Sequence, residues 1–495
     1  MSSASSAQPR PALAYAAWLD SLTRAGWDAT PATERAAVTD ALGRVSAESI
    51  VARWPSPRSD CSAMDGIAVA AAILPGNSPV GIVLAGSAPA GTAPVGSSPA
   101  GSSPAGSSPA GSSPAGSSPA GSSPAGSSPA GSSPVGSSPV GGAVRLPAGS
   151  FDWIDTGDAM PDGADTVVMR EWLLPQEDGS VVIGAGADAR ELARGKNVRR
   201  AGEDFTAGEV LVPAGRRLRP GDLAAAAAAG RESVAVTRPP VVAIIPTGDE
   251  IRPVGSAAGP GEILDTNSLM LAGRCCQVGA VPVVSDVQPD DPDALAAEIR
   301  RAALGADLVL VIAGSSRGRD DHAGAVLAQV GGVAVAGVAV RPGHPALLGH
   351  AKRLPGGIAP VIGLPGYPLA TAVIFELFAA PLLAAIAGLR QPPGPRLLAT
   401  LDRDWRSPPG IEDWVLVTLA RAADPLAGWP ASTRGGWGAG APKAGALPVA
   451  TPTRRGAGSI SQLARADAWW PISPDRMAFS AGTVIEVAPI PDSAG

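Results

Sequence analysis

Apolar positions along the chain change rhythm twice. In residues 11–53, Ala, Val and Leu recur at helical spacing, as in "TERAAVTDALGRVSAESI". With Thr33 and Glu34 as a start signal, this pattern predicts helix. A Pro- and Ser-rich loop, "RWPSPRSD", then leads into "CSAMDGIAVAAAIL". Further on, "AVRLPAGSFDWIDTGDAMPDGADTVVMREWLL" and "DFTAGEVLVPAGRRLRP" carry short apolar runs cut by Gly and Pro, which predict β structure, before a helix in "GDLAAAAAAG". From Pro239 the runs lengthen and alternate. "VVAIIPTG", "AVPVVSDVQ", "ADLVLVIAGSS" and "PVIGLPG" read as buried strands. "TNSLMLAGRCCQVG", "DPDALAAEIRRAAL", "DHAGAVLAQVGG" and "LATAVIFELFAAPLLAAIAGL" read as helices. Strands alternating with helices indicate parallel βαβ units, so residues 239–390 are expected to form a doubly wound parallel sheet. Beyond "RQPPGP", residues 396–491 return to short strands and turns and predict a small β domain.

One stretch fits neither rhythm. From Gly86 to Val140 the chain is eleven five-residue units of the form Gly-[Ser/Thr]-[Ser/Ala]-Pro-[Ala/Val]. A Pro and a Gly in every unit cannot sustain a helix or a central strand. The segment either joins two proteins or interrupts one.

Composition narrows the classes. Of the 495 residues, 45% are hydrophobic and 17% charged, as in a globular chain, and the net charge of −6 argues against a nucleic-acid surface. Cys61, Cys275 and Cys276 have neither metal-ligand spacing nor a disulfide framework, which points to a reducing compartment. The N-terminus lacks a charged start followed by an unbroken apolar core, so no signal peptide is expected and the protein is read as cytoplasmic. The most apolar stretch, residues 359–389, is broken by Gly363, Pro365, Gly366 and Pro368 and contains Glu376. It reads as strand, loop and buried helix rather than a membrane span.

Ligands of a doubly wound sheet bind outside the carboxyl ends of its strands. Three loops fall there: "PTGDE" (Pro246 to Glu250), "AGSSRGRDDH" (Ala313 to His322) and "LPGYP" (Leu364 to Pro368). A Gly/Ser loop between strand and helix offers N–H groups and hydroxyls to a phosphate, and Arg317 and Arg319 add charged donors. Asp321, at a helix start, is placed to hold a divalent cation between phosphates. The plainer alternatives stay open: tight strand–helix turns need Gly anyway, and an Asp there also serves as an N-cap. Gathered on one edge with Glu250 and the arginines, the loops favour phosphate-ester chemistry.

Set beside the upstream pieces, the chain resembles the molybdopterin molybdenumtransferase family (MoeA-like, including the E domain of gephyrin). The motifs run in family order: "SAMDGIAV", "IDTGDAMPDGADTVVMRE", "NVRRAGEDFTAGEVLVPAG", "PTGDEI", "GEILDTNSLML", "GSSRGRDD", "RPGHP" and "GLPGYP". The resemblance implies a multidomain fold: an elongated N-terminal α+β region (11–70 plus 172–238), a small inserted β domain (71–171) interrupted by the repeat, the 239–390 molybdopterin-binding α/β domain and the 396–491 β domain. It implies insertion of molybdate into adenylylated molybdopterin, the substrate, with Mg²⁺-assisted cleavage of the adenylyl phosphate and release of AMP. It also implies a homodimer, with a separate adenylyltransferase and apo-molybdoenzymes as possible partners. Carried over singly, Asp65, Glu250 and Asp321 are the expected catalytic carboxylates, with Glu250 and Asp321 on the metal. Thr156, Asp204, Thr247, Gly248, Gly314, Ser315, Ser316, Arg317, Gly318, Pro365 and Gly366 are expected to hold the cofactor, and Arg341 and His344 the molybdate.

The chain departs from the family where "KPGKP" is "RPGHP" and "GNPVS" is "GYPLA". Arg341 keeps a full charge, whereas His344 is only partly charged near neutrality. Tyr367 and Ala370 replace Asn and Ser. These departures leave open a tungstate-inserting variant or a catalytically degenerate, molybdopterin-binding scaffold. The related adenylyltransferase is a weaker reading, because it lacks the SAMDG and GED regions. The family order also places the repeat inside one polypeptide, as an expansion of a β-domain loop.

Overall fold

The computed structural model describes residues 8–74, 144–184, 187, 192–313, 322–354, 356–390, 396–420, 447–454, 456 and 458–490. The repeat at 86–140 lies outside them. The chain divides into two compact units, residues 54–207 and the remainder (1–53 with 208–495).

The larger unit is organised by a six-stranded sheet. The strands Val281–Val284, Val241–Pro246, Leu308–Ala313 and Ile358–Pro365 lie side by side and parallel. Both faces are covered: Val242 and Ile244 pack into one core, Ala243 and Ile245 into the other, as the two-residue period of a strand requires. Helices Thr266–Gln277 and Pro368–Ile374 lie over the first face, Pro292–Gly305 and Ala323–Val330 over the second. The sheet is not all-parallel, a correction to the expected topology. Strands Leu347–Lys352 and Gly331–Ala336 extend it antiparallel beyond Ile358–Pro365. Their sequence, "GGVAVA" and "LLGHAK", flanks the RPGHP turn with small residues, so a hairpin returning along the edge costs little burial. Trp18, fully buried on the Pro11–Arg24 helix, donates its Nε1–H to the Gly349 carbonyl at 2.8 Å and ties that helix to the antiparallel end.

A second correction concerns "TERAA". Thr33–Ala37 is a strand, not a helix start, and pairs antiparallel with Ser233–Thr237 through all five residues. Its intrinsic helix preference is worth only tenths of a kcal/mol per residue, so a ready-made edge and the Arg44–Glu34 ion pair override it.

The apolar segment Pro368–Ile386 is long and apolar enough to cross a membrane, yet it is the central helix of the core. Phe375 and Phe378 in its middle, wider turn are fully buried, each contributing about 2–3 kcal/mol. Glu376 in the same turn meets Arg274 at 2.6 Å, and burial raises its pKa.

The C-terminal strands Leu397–Leu401, Glu412–Ala420, Val449–Pro452, Ala468–Ile472 and Val484–Pro489 form a sheet that closes on itself through Glu412–Ala420 and Ala468–Ile472. It encloses its own core around Val417, Trp470 and Val487. The short strand Val340–Arg341 joins this sheet, pairing with Glu412 and Asp413. The RPGHP turn is thereby strung between the two sheets.

In the 54–207 unit, Gly66–Val69 is the middle strand between Asp152–Ile154 and Thr166–Met169. A neighbouring sheet joins Val144–Leu146, Val181–Ile183 and Leu173–Pro175. Ile67, Leu74, Leu146, Val168 and Leu192 share one core.

Candidate functional site

Parallel pairing brings three strand ends to one edge of the central sheet. Thr247 follows the Val241–Pro246 strand, and both its N–H and its Oγ1–H donate to the Ile312 carbonyl, at 3.0 and 2.9 Å. Gly248 turns the chain with φ of +132°; a side chain there would meet Ile251 at 2.8 Å and the Glu250 carboxylate at 2.9 Å. Glu250 is exposed and folds back over this turn. Ala313 pairs with Pro365, so the next two loops leave from adjacent positions. Gly314, Ser315, Ser316, Arg317, Gly318 and Asp321 lie outside the described residues. Among the described residues no group of three His, Cys, Asp or Glu side chains could hold a metal ion.

The LPGYP loop is anchored from below. Asn267, in the first turn of the Thr266–Gln277 helix, donates its Nδ2–H to the Gly366 carbonyl at 2.7 Å. Its Oδ1 is buried with no hydrogen-bond partner among the described residues. Asp265 caps the same helix by accepting from the Ser268 N–H at 3.0 Å. The "GEILDTNSLML" motif contains Asn267, to which sequence reasoning assigned no role; an amide just after an Asp at a helix start was the signal the letters offered.

Pro365, Tyr367 and Ala370 also line a cavity of about 720 Å³, whose other walls come from the RPGHP turn and the closed sheet. The turn is rigidly held. The His344 carbonyl accepts from the Val338 N–H at 2.8 Å, and the Gly343 carbonyl accepts from the Ala346 N–H at 3.1 Å. At Gly343, φ is +117° and a side chain would strike Ile374 at 2.8 Å, so the turn seats directly on the Pro368–Ile374 helix. Arg341 and His344 both line the cavity, and neither forms an ion pair among the described residues. Asp413, the carboxylate in the lining, is 2% exposed and accepts from the Ser407 hydroxyl at 2.8 Å. Trp414 and Arg454 complete the far wall, and sequence reasoning assigned neither.

The 54–207 unit holds the other candidates. Asp65 Oδ1 accepts from both the N–H and the hydroxyl of Thr156, at 2.8 and 2.7 Å. These bonds, with a smaller attraction from Arg170, hold the Asp65 carboxyl below the usual carboxylate range. Two residues that lie on opposite sides of the repeat in sequence thus form one pair. Asp204 is exposed in a turn whose backbone N–H donates to the Ser56 carbonyl at 2.9 Å.

Comparison with known proteins agrees with this architecture. The family profile for the MoeA N-terminal region (domain I and II) matches residues 12–230, and that for a probable molybdopterin binding domain matches 243–385. A molybdopterin biosynthesis MoeA protein from Pyrococcus horikoshii shares the fold, with a TM-score of 0.67 at 23% identity over 97% of this chain and 98% of that one. These matches define the class: a MoeA-like multidomain protein built around an α/β domain. Relatives named molybdopterin molybdenumtransferase occur in Nostoc sp. (36% identical over 49% of this chain) and Haemophilus influenzae (32% over 57%). The matched segments span 54% and 64% of those two proteins. A molybdopterin molybdenumtransferase 2 of Mycobacterium tuberculosis is 33% identical over a segment covering 67% of its length and 54% of this chain. The chain belongs to the molybdopterin molybdenumtransferase family.

Proposed function

We propose that this protein is a molybdopterin molybdenumtransferase that inserts molybdate into adenylylated molybdopterin and releases AMP. The observation that carries the proposal is the cavity beside the carboxyl edge of the central sheet, where Arg341 and His344 have no ion-pair partner among the described residues and the neighbouring Asp413 is already engaged. Cationic donors held by rigid backbone are what a doubly charged tetrahedral oxyanion requires.

The remaining roles follow the same reading. Thr247, Gly248, Pro365 and Gly366, with the Gly314–Gly318 loop, hold the pterin and its phosphate. Thr156 fixes Asp65, which the hydrogen bonds keep ionised, and Asp204 serves as a further polar contact. A magnesium ion would rest on Glu250, Asp321 and a substrate phosphate, since Mg²⁺ binds through one or two carboxylates and keeps several waters. It would supply charge neutralisation at the phosphate. We further propose that the chain acts in the cytoplasm as a homodimer.

The test is incubation of the purified chain with adenylylated molybdopterin, Mg²⁺ and molybdate, measuring AMP release and reconstitution of a molybdenum-free apo-enzyme. Molybdate-dependent release with reconstitution is expected. Release that ignores molybdate, or none, overturns the proposal.

A further inference from the structure

The cavity holds a third cation that neither the family motifs nor the sheet edge accounts for. Arg454 follows the Val449–Pro452 strand of the closed C-terminal sheet and lines the same cavity as Arg341 and His344. In the sequence it lies more than a hundred residues from them; only the closure of that sheet brings it round. Its side chain is exposed and forms no ion pair or hydrogen bond among the described residues. The carboxylate that could neutralise it, Asp413, is buried and accepts from Ser407. Trp414 and Pro342 wall the space with apolar surface, which strengthens any charge interaction inside it.

We propose that Arg454 is an oxyanion-holding residue, so that a doubly charged tetrahedral oxyanion is gripped from both sides of the cavity: by Arg341 and His344 on the turn, and by Arg454 on the closed sheet. The proposal rests on the oxyanion reading of this cavity and assigns it a second, independent wall. Arg454 adds a full charge from the C-terminal sheet opposite the guanidinium of Arg341 and the imidazole of His344 on the turn. An arginine is suited to this task, because its planar fork donates two parallel hydrogen bonds to neighbouring oxygens of one anion.

The experiment is calorimetric titration of the full chain with sodium molybdate, and separately with AMP, using wild type, Arg454→Ala, Arg454→Lys and Arg341→Ala. Arg454 is exposed and unpartnered, so its variants should keep the wild-type circular dichroism spectrum and unfolding midpoint. Molybdate affinity is expected to fall about tenfold in Arg454→Ala and to recover in part in Arg454→Lys, with AMP binding unchanged. In the turnover assay the molybdate concentration for half-maximal AMP release should rise while the maximal rate holds, which a merely structural loss would not produce. If Arg341→Ala weakens molybdate and Arg454→Ala does not, the role of Arg454 is overturned and the oxyanion reading stands. If Arg454→Ala weakens AMP instead, the residue belongs to the phosphate and the proposal is likewise overturned. If the wild type binds no molybdate, or neither alanine variant alters binding, the oxyanion reading itself fails.

Discussion

Two corners of this molecule treat charge in opposite ways. At Asp65 the carboxylate is satisfied from within: Thr156 donates twice to one oxygen, and the pair needs nothing further to be stable. In the cavity beside the RPGHP turn the cations are left over, while the carboxylate among them is turned inward to Ser407. A satisfied charge is a positioned tool, held in one protonation state and one rotamer. Cations placed together without a partner make a vacancy for an anion, because their mutual repulsion is relieved only when one arrives. In the proposed function, the first kind of residue acts on the substrate and the second waits for it.

The comparison breaks most visibly at Asp65. Asp65→Asn keeps an oxygen for Thr156 and removes the charge, so the unit should fold as before while AMP release falls about a hundredfold or more. A variant that releases AMP at the wild-type rate would show that the carboxylate is only a turn brace. An intermediate effect is expected from Gly343→Ala. The added methyl meets Ile374 at 2.8 Å in a backbone region closed to alanine, which should cost about 1–3 kcal/mol in urea unfolding. Molybdate affinity should suffer with it, since the turn carries Arg341 and His344; unchanged stability would mean that the turn is looser than its packing indicates. The smallest effect sharpens the Asp65 side. Its lowered pKa means that the stability it contributes is present above the unfolded-state pKa and is lost as pH falls through the folded value. Thr156→Val should raise the Asp65 pKa toward the ordinary range and flatten the acid limb of stability below about pH 4. Carboxyl titration by NMR gives the sign directly, and a downward shift would refute the assignment.

What could be seen in the sequence follows from range. The alternation of buried strands and helices across 239–390 is local, and Val242, Ile244, Leu310 and Ile362 sit in the core that their runs predict. The two antiparallel strands were not legible, because glycines and a histidine dilute "GGVAVA" and "LLGHAK" and no helix separates them. "TERAA" misled for the reverse reason: its local preference is real but weaker than the five-residue pairing it finds two hundred residues later. At the candidate site, the loops and the RPGHP turn announced themselves as motifs. Arg454 did not, because an exposed arginine in "TPTRRG" acquires meaning only when the C-terminal sheet closes beside the turn. Asn267 was visible as a letter in a motif; its hold on Gly366 was not.

The shared core of Leu74 and Leu146 has a consequence for how the gene can vary. These two side chains, one before the repeat and one after it, are packed into the same cluster, so the described residues on its two sides share one core. Loop-closure entropy rises by only about 0.6 kcal/mol for each doubling of length. A chain with a different number of units is therefore expected to keep this core, and this junction is a natural place to graft a reporter domain.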